Sequence, residues 1–299
     1  MNIKPRRLEK GNRIGVVAPA GHADEDEVNK GVEFFEKLGF EIVLGSSVKA
    51  DPHGYLAASD EFRAWDVEQM FVDGTIDGII AVRGGYGSSR ILNILDYEKI
   101  GANPKPFIGY SDITALLTAI QGRTGLITFH GPNLTTDMNE FTLKYFKSQL
   151  MGGQAAGVID IPDDVEAACV RPGQAEGRLV GGNLSLLCSG LGTPYEVDTF
   201  NRILFLEDLN ESPYKIDRMM TQLKNAGKLE KACGILLGSF TDCGDVMHIF
   251  DDIFGGLDVP VLYLPVFGHD TYKLTIPEGA MAELDSGGHV FNIKEAAVI

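Results

Sequence analysis

Basic residues are scarce in this chain of 299: 26 Lys plus Arg stand against 42 Asp plus Glu, a formal charge of -16. A surface that acidic repels a polyanion at long range, so nucleic acid is not an expected partner. A small anionic substrate remains compatible with it, given a local Arg or Lys inside a pocket. Cysteine is equally sparse. The four (Cys169, Cys188, Cys233, Cys243) lie far apart with no C-x-x-C pair, so neither a disulfide framework nor a zinc site is encoded. Cys188 and Cys233 are expected to be buried and Cys243, in TDCGD, exposed. Long apolar runs are missing too. The stretch at 14–18 is too brief for a signal-peptide core, and no later run approaches the ~20 apolar residues of a membrane helix. A cytoplasmic protein with no membrane partner is the expectation. Internal repeats and low-complexity segments are absent as well.

What is present is an alternation. Short apolar runs at 14–18, 41–44, 78–82, 107–109 and 126–129 are separated by helical spacing at 28–38 and 62–71. Short β-rich runs alternating with helices predict a parallel sheet with helices on both faces. Around 152–171 the pattern fails in a stretch rich in Gly, Ala, Pro and acidic residues, which reads as a linker. Strands resume near 179–180, 203–206, 235–237 and 261–264, with helices near 184–190, 214–226 and 246–254. Two β segments are expected around the turn at 286–288. The division is thus an N-terminal α/β domain over 1–151, a linker over 152–174, and a smaller C-terminal α/β domain over 175–299.

In a parallel α/β sheet, ligands bind beyond the carboxyl ends of the strands. Three unusual segments fall there. Arg83-Gly84-Gly85-Tyr86-Gly87-Ser88-Ser89-Arg90 follows the third strand; its glycines permit tight turns that present N–H groups to an anion. It has neither P-loop nor G-x-G-x-x-G spacing, and a plain glycine-rich turn is an equally good reading. Ile108-Gly109-Tyr110-Ser111-Asp112 puts a serine on a sharp strand-to-helix turn, where its hydroxyl projects from the sheet edge and the next N–H faces a developing oxyanion. The same Ser-Asp pair also makes a good helix cap. Glu207 and Asp208 end the strand RILFL, and His269 ends VLYLPVFGH, with His130 in TFHGPN as its competitor. A serine hydroxyl needs a histidine in reach, and that histidine needs a carboxylate to fix its tautomer. Spacing does not choose between the two histidines.

The motifs RGGYGSSRIL, IGYSDITALL, HGP, GRLVGGNLSLL, LFLEDLNESPYKIDRMMTQL and FGHD followed by LTIPEGAMAELD, in that order over residues 14–285, resemble the serine LD-carboxypeptidases, the murein tetrapeptide carboxypeptidases. The resemblance implies Ser111 as nucleophile, Glu207 as the acidic member and His269 as general base. It implies an oxyanion hole from the backbone N–H groups of Asp112 and Gly85. It further implies an amidotransferase-like, doubly wound N-terminal domain, a homodimer, and no metal or cofactor. The substrate would be a small peptide or muropeptide from which a terminal D-alanine is removed during cell-wall recycling. An exopeptidase must also hold a free carboxylate, for which Arg83, Arg90 and Arg178 are candidates, with Tyr86 beside them as a further substrate-binding residue. After His269 the turn DTYKLTIPEG departs from the more Pro- or Asn-rich turn of the family, and this bears on substrate preference.

Two other readings are distinguishable. Microcin C self-immunity proteins, which hydrolyse peptidyl or aminoacyl adenylate analogues, share the fold and triad but carry an aromatic residue on an extra loop; here the single tryptophan, Trp65, falls in a predicted helix. A non-catalytic two-domain binding protein would use Ser111 only as a cap, and would bind peptide without turning it over.

Overall fold

The computed structural model describes residues 2–50 and 52–299. The first lobe runs β1 (Arg13–Val17), α1 (Glu25–Lys37), β2 (Glu41–Leu44), α2 (Asp60–Val72), β3 (Gly78–Ala81), α3 (Ser88–Ile91), α4 (Tyr97–Ala102) and β4 (Phe107–Gly109). A single 3-10 turn, Ser111–Ile113, leads into α5 (Thr114–Thr124), and β5 (Thr128–His130) and α6 (Glu140–Leu150) follow. The remainder is β6 (Gly157–Val158), β7 (Ala168–Arg171), β8 (Gln174–Asn183), α7 (Leu184–Gly190), β9 (Arg202–Leu209), α8 (Pro213–Asn225) and α9 (Lys228–Lys231). It continues through β10 (Gly234–Thr241), α10 (Met247–Phe254), β11 (Val261–Tyr263), β12 (Ile276–Glu278), β13 (Met281–Asp285) and β14 (Val290–Ile293).

The first sheet has six strands in the order β2-β1-β3-β4-β5-β12. Its first five are parallel, and β12 closes the edge antiparallel to β5. Strands β3, β4 and β5 are buried throughout, as strands covered on both faces must be. The order reverses between β1 and β3, which makes the crevice at their carboxyl ends the place for a ligand. Local chemistry starts the helices: Asp24, Ser59 and Asn139 each accept a backbone N–H from the first turn of α1, α2 and α6.

The second sheet has eight strands in the order β6-β14-β13-β8-β9-β10-β11-β7. Strands β8, β9, β10 and β11 are parallel; the flanking strands run antiparallel. In this register Asn183, at the carboxyl end of β8, pairs with Glu207, and Arg178, midway along it, pairs with Arg202.

Three expectations need correction. The stretch 152–174 is no free linker, because β6 and β7 form the two opposite edges of the second sheet. Both are short and half exposed, so they carry no buried alternation to read. The boundary at 175 is not clean, because β12 crosses back to the first sheet. Finally, Cys243 is buried and Cys169 is the exposed cysteine, while Cys233 is only partly covered. Among the described residues no helix is long and apolar enough to cross a membrane.

Candidate active site

Ser111 sits where β4 ends, with φ of 65°, a left-handed conformation that a residue bearing a side chain adopts only when its surroundings enforce it. Those surroundings are visible on both sides of the turn. Gly109 gives its carbonyl to Gly131 N–H at 3.0 Å, and Tyr110 N–H donates to Asn133 Oδ1 at 3.3 Å. On the far side Asn183 N–H, from the second lobe, donates to Thr114 Oγ1 at 3.1 Å. The glycine loop after β3 lies directly against the serine. A Cβ on Gly84 would come within 2.8 Å of Ser111 Cβ, 3.0 Å of its Oγ and 3.2 Å of Asp112 N, so only glycine fits. Gly85, at φ of 109°, has an N–H with no intramolecular acceptor among the described residues. The Asp112 carboxylate is buried and accepts Ser88 N–H at 2.7 Å, which ties the two loops together. Burial raises its pKa against the lowering effect of that bond.

Strand alternation separates the two carboxylates at the end of β9. Glu207, fully buried, turns toward the cleft and accepts a hydrogen bond from His269 Nδ1 at 2.7 Å. Asp208 turns the other way and accepts from Asn183 Nδ2, Ser185 N–H and Ser185 Oγ, capping α7. A carboxylate only accepts, so His269 carries its proton on Nδ1 and leaves Nε2 bare for a second proton. Gly268, at φ of 106°, makes the pairing sterically feasible: a Cβ there would lie 2.8 Å from Glu207 Oε2. The His269 ring lies 4.8 Å from the ring of Tyr110, the residue next to Ser111, tilted at 49° to it. The serine turn of one lobe and the His–Glu pair of the other therefore meet in one cleft. Ser111 Oγ and His269 are not hydrogen-bonded to each other, a contact that bound substrate tightens in many hydrolases.

The histidine left open by spacing is accounted for. His130 is buried among Tyr110, Phe205 and Phe267, and neither ring nitrogen has a partner. Burial, and secondarily the nearby His269, pushes its pKa down to about 3. It is a neutral packing residue beside the cleft.

The cationic candidates fare differently. Arg178 is midway along β8, bonded to Gly279 O at 2.6 Å and Glu295 at 3.1 Å, and five residues from Asn183. At ~3.3 Å per residue that is roughly 16 Å along the strand from Asn183, so the structure does not bring Arg178 together with Ser111 and His269. Arg90 is held by Asp60, with Nε 2.9 Å from each carboxylate oxygen. Arg83 is exposed in the glycine loop, without an ion pair among the described residues. Tyr86 is also exposed there, its ring 5.8 Å from that of Tyr55. Sequence reasoning missed Gly84, Tyr110 and Gly268. Their signal was adjacency to the chemical residues, but their role depends on contacts between loops far apart in the chain.

Comparisons with known proteins place the chain in a family. Residues 14–131 match the family model described as the LD-carboxypeptidase N-terminal domain, and residues 176–284 the LD-carboxypeptidase C-terminal domain. A probable murein peptide carboxypeptidase of Bacillus subtilis is 40% identical, the match covering 96% of this chain and 92% of that protein. The microcin C7 self-immunity protein MccF of Escherichia coli is 30% identical over 96% of this chain and 94% of its own. Among solved structures, an MccF-like protein from Bacillus anthracis superposes with a TM-score of 0.91 at 27% identity, over 98% of this chain and 99% of that one. The chain belongs to the LD-carboxypeptidase family of peptidases.

Proposed function

We propose that the protein is a serine-type LD-carboxypeptidase that releases the terminal D-alanine from L,D-tetrapeptides of murein, with Ser111 as nucleophile, His269 as general base and Glu207 as its orienting carboxylate. The observation that carries this reading is the Glu207–His269 hydrogen bond of 2.7 Å, set in the cleft beside a serine held at positive φ. His269 Nε2 takes the Ser111 proton as Oγ attacks the carbonyl carbon of the L-residue. The tetrahedral oxyanion is received by the N–H groups of Gly85 and Asp112, each worth about 3–4 kcal/mol to the transition state. As the C–N bond breaks, the imidazolium returns its proton to the leaving amine and D-alanine departs. Water, deprotonated by the same imidazole, then frees the acyl group from Ser111.

Arg83 and Tyr86, exposed on the loop that supplies Gly85, are the substrate-facing side chains in this reading. We assign Arg83 to the terminal carboxylate; Arg83→Met is expected to raise KM with little change in kcat, measured on the same tetrapeptide. The reading places the enzyme in the cytoplasm, in murein recycling, as a homodimer with an amidotransferase-like first domain. The test is incubation of wild type and Ser111→Ala with an L,D-tetrapeptide and its all-L counterpart. D-alanine is expected from wild type and the L,D-peptide alone, with the Ser111→Ala rate lower by at least about 10⁴-fold. Equal turnover of both peptides, or an active Ser111→Ala, would overturn the reading.

The likeness to proteins named for microcin C7 self-immunity supports a second substrate, an aminoacyl or peptidyl adenylate analogue, for the same machinery. Trp65, the single tryptophan, is stacked on Phe62 along α2 instead of lying on a loop near Ser111. Faster hydrolysis of the adenylate analogue than of the tetrapeptide would favour that substrate.

A further inference from the structure

One arginine is sealed completely inside the first lobe. Arg63, on α2, has no exposed surface, and its guanidinium reaches three backbone carbonyls from three different loops. These are Pro19 O after β1, Ala58 O before α2 at 3.1 Å, and Gly87 O in the glycine loop at 3.0 Å. Its remaining nitrogen pairs with Asp60, which in turn holds Arg90 at the end of α3. All three loops lie at the carboxyl ends of β1 and β3 or lead into the crevice between them.

The Gly87–Ser88 peptide shows what this does. In a trans peptide the C=O and the following N–H point in opposite directions. Here the carbonyl accepts from Arg63, and the N–H on the other side donates to the Asp112 carboxylate. One peptide plane is thus gripped between a buried cation on α2 and the residue that follows Ser111. Gly87 must be glycine for this, because at φ of 137° a Cβ would lie 2.9 Å from Arg63 Nη1. Three residues before it, Gly84 O is held by Gly21 N–H at 3.3 Å. Between these two anchors lies Gly85, whose N–H has no acceptor among the described residues. A charge this deeply buried is costly, and apolar packing would be cheaper if only a stable core were required. Asp60 compensates the charge, and burial otherwise depresses the Arg63 pKa.

We infer that Arg63 is a positioning residue of the catalytic site: acting through the Gly87–Ser88 peptide and the Asp112 carboxylate, it fixes the glycine loop against the Ser111 turn so that the Gly85 and Asp112 N–H groups converge on one oxyanion. This rests on the reading of Ser111 as nucleophile. Arg63 touches no substrate. Its loss therefore lowers transition-state stabilisation and leaves ground-state binding in place.

The test compares wild type, Arg63→Met, Arg63→Lys and Asp60→Asn. For each, kcat and KM are measured on the L,D-tetrapeptide, together with the rate at which a fluorophosphonate labels Ser111 and the thermal midpoint. Arg63→Met is expected to lower kcat, per labelled site, by about 10²-fold, as loss of one oxyanion donor does, with KM nearly unchanged and labelling slowed in parallel. Arg63→Lys keeps the charge but loses the fork and should recover only part of the rate. Asp60→Asn, which leaves the guanidinium in place, covers the case in which Arg63→Met does not fold, and should show the same kcat-only pattern more weakly. Wild-type kcat per labelled site in Arg63→Met overturns the inference, as does a defect confined to the unfolded fraction. If Arg63→Met does not fold, unchanged kcat in both Arg63→Lys and Asp60→Asn overturns it. If wild type is labelled at Ser111 but releases no D-alanine, the substrate reading fails and the labelling rates still decide on Arg63. If Ser111 is not labelled at all, the nucleophile reading fails first.

Discussion

Single residues around the cleft carry conformations and burial that only their neighbours explain. Gly84 is one: it faces Ser111 so closely that a methyl group would collide with atoms anchored on both backbones. Gly84→Ala is therefore expected to push the glycine loop back and reduce kcat by about 100-fold, the scale of a misplacement near 1 Å, while the fold survives, as circular dichroism would report. His130 is another. Its folded pKa of about 3 lies below the ordinary value of 6.5, so the unfolded chain binds the proton first as pH falls. The stability associated with the neutral ring is fully present above pH 6.5 and drains away between 6.5 and about 3. The slope is at most about 1.4 kcal/mol per pH unit. His130→Leu should flatten the decline of thermal midpoint across that window and keep most of the activity. An equal decline in both proteins would show that His130 is not the group responsible.

The elements explain which parts of the site the sequence disclosed. Strand β9 was legible as an apolar run ending in two carboxylates, but the period of two decides their fates: Glu207 meets His269, and Asp208 caps α7. A reader of the sequence sees two adjacent acids and cannot tell which face looks into the cleft until the partner strands are known. Glu207→Gln should therefore lower kcat by about 10³–10⁴-fold with the thermal midpoint nearly intact, because the amide no longer holds the charged imidazole. Asp208→Ala should do the reverse, removing about 1–3 kcal/mol of stability with a much smaller effect on kcat. Comparable kinetic losses in the two variants would contradict the division. The choice of His269 over His130 was hidden for the same reason. His130 ends β5 and His269 lies beyond β11, and only the folded arrangement brings a carboxylate of β9 to one of them and leaves the other among aromatic rings. Helix α6 had a readable cap at Asn139 but no marked apolar stripe. The edge strands β6 and β7 had neither length nor burial to betray them.

At the scale of the whole molecule, two sheets that the sequence divides at a linker prove to be bound together through the chain's path. Strand β12 leaves the second lobe to complete the first sheet, and the chain then returns to form β13. Ile299 exchanges backbone hydrogen bonds with Pro5 and Arg7, and Ala297 and Val298 are buried in the core of the first lobe. Tyr145 of α6 crosses the other way. It packs in a core made largely of second-lobe residues, and its hydroxyl accepts Asp160 N–H at 2.7 Å. A site assembled from both lobes needs this rigidity, since a serine on one and an imidazole on the other must stay in register to far better than the width of an ordinary hinge motion. The lobes are therefore expected to melt as one unit, with the calorimetric and van't Hoff enthalpies equal. Tyr145→Ala, which empties a shared core position, should lower that single midpoint through a loss of about 3 kcal/mol. It should not split the transition. Two resolved peaks in wild type, or a Tyr145→Ala protein in which one lobe melts early while the other keeps the wild-type midpoint, would mean that the lobes fold independently and that the cleft is held by something other than the shared core.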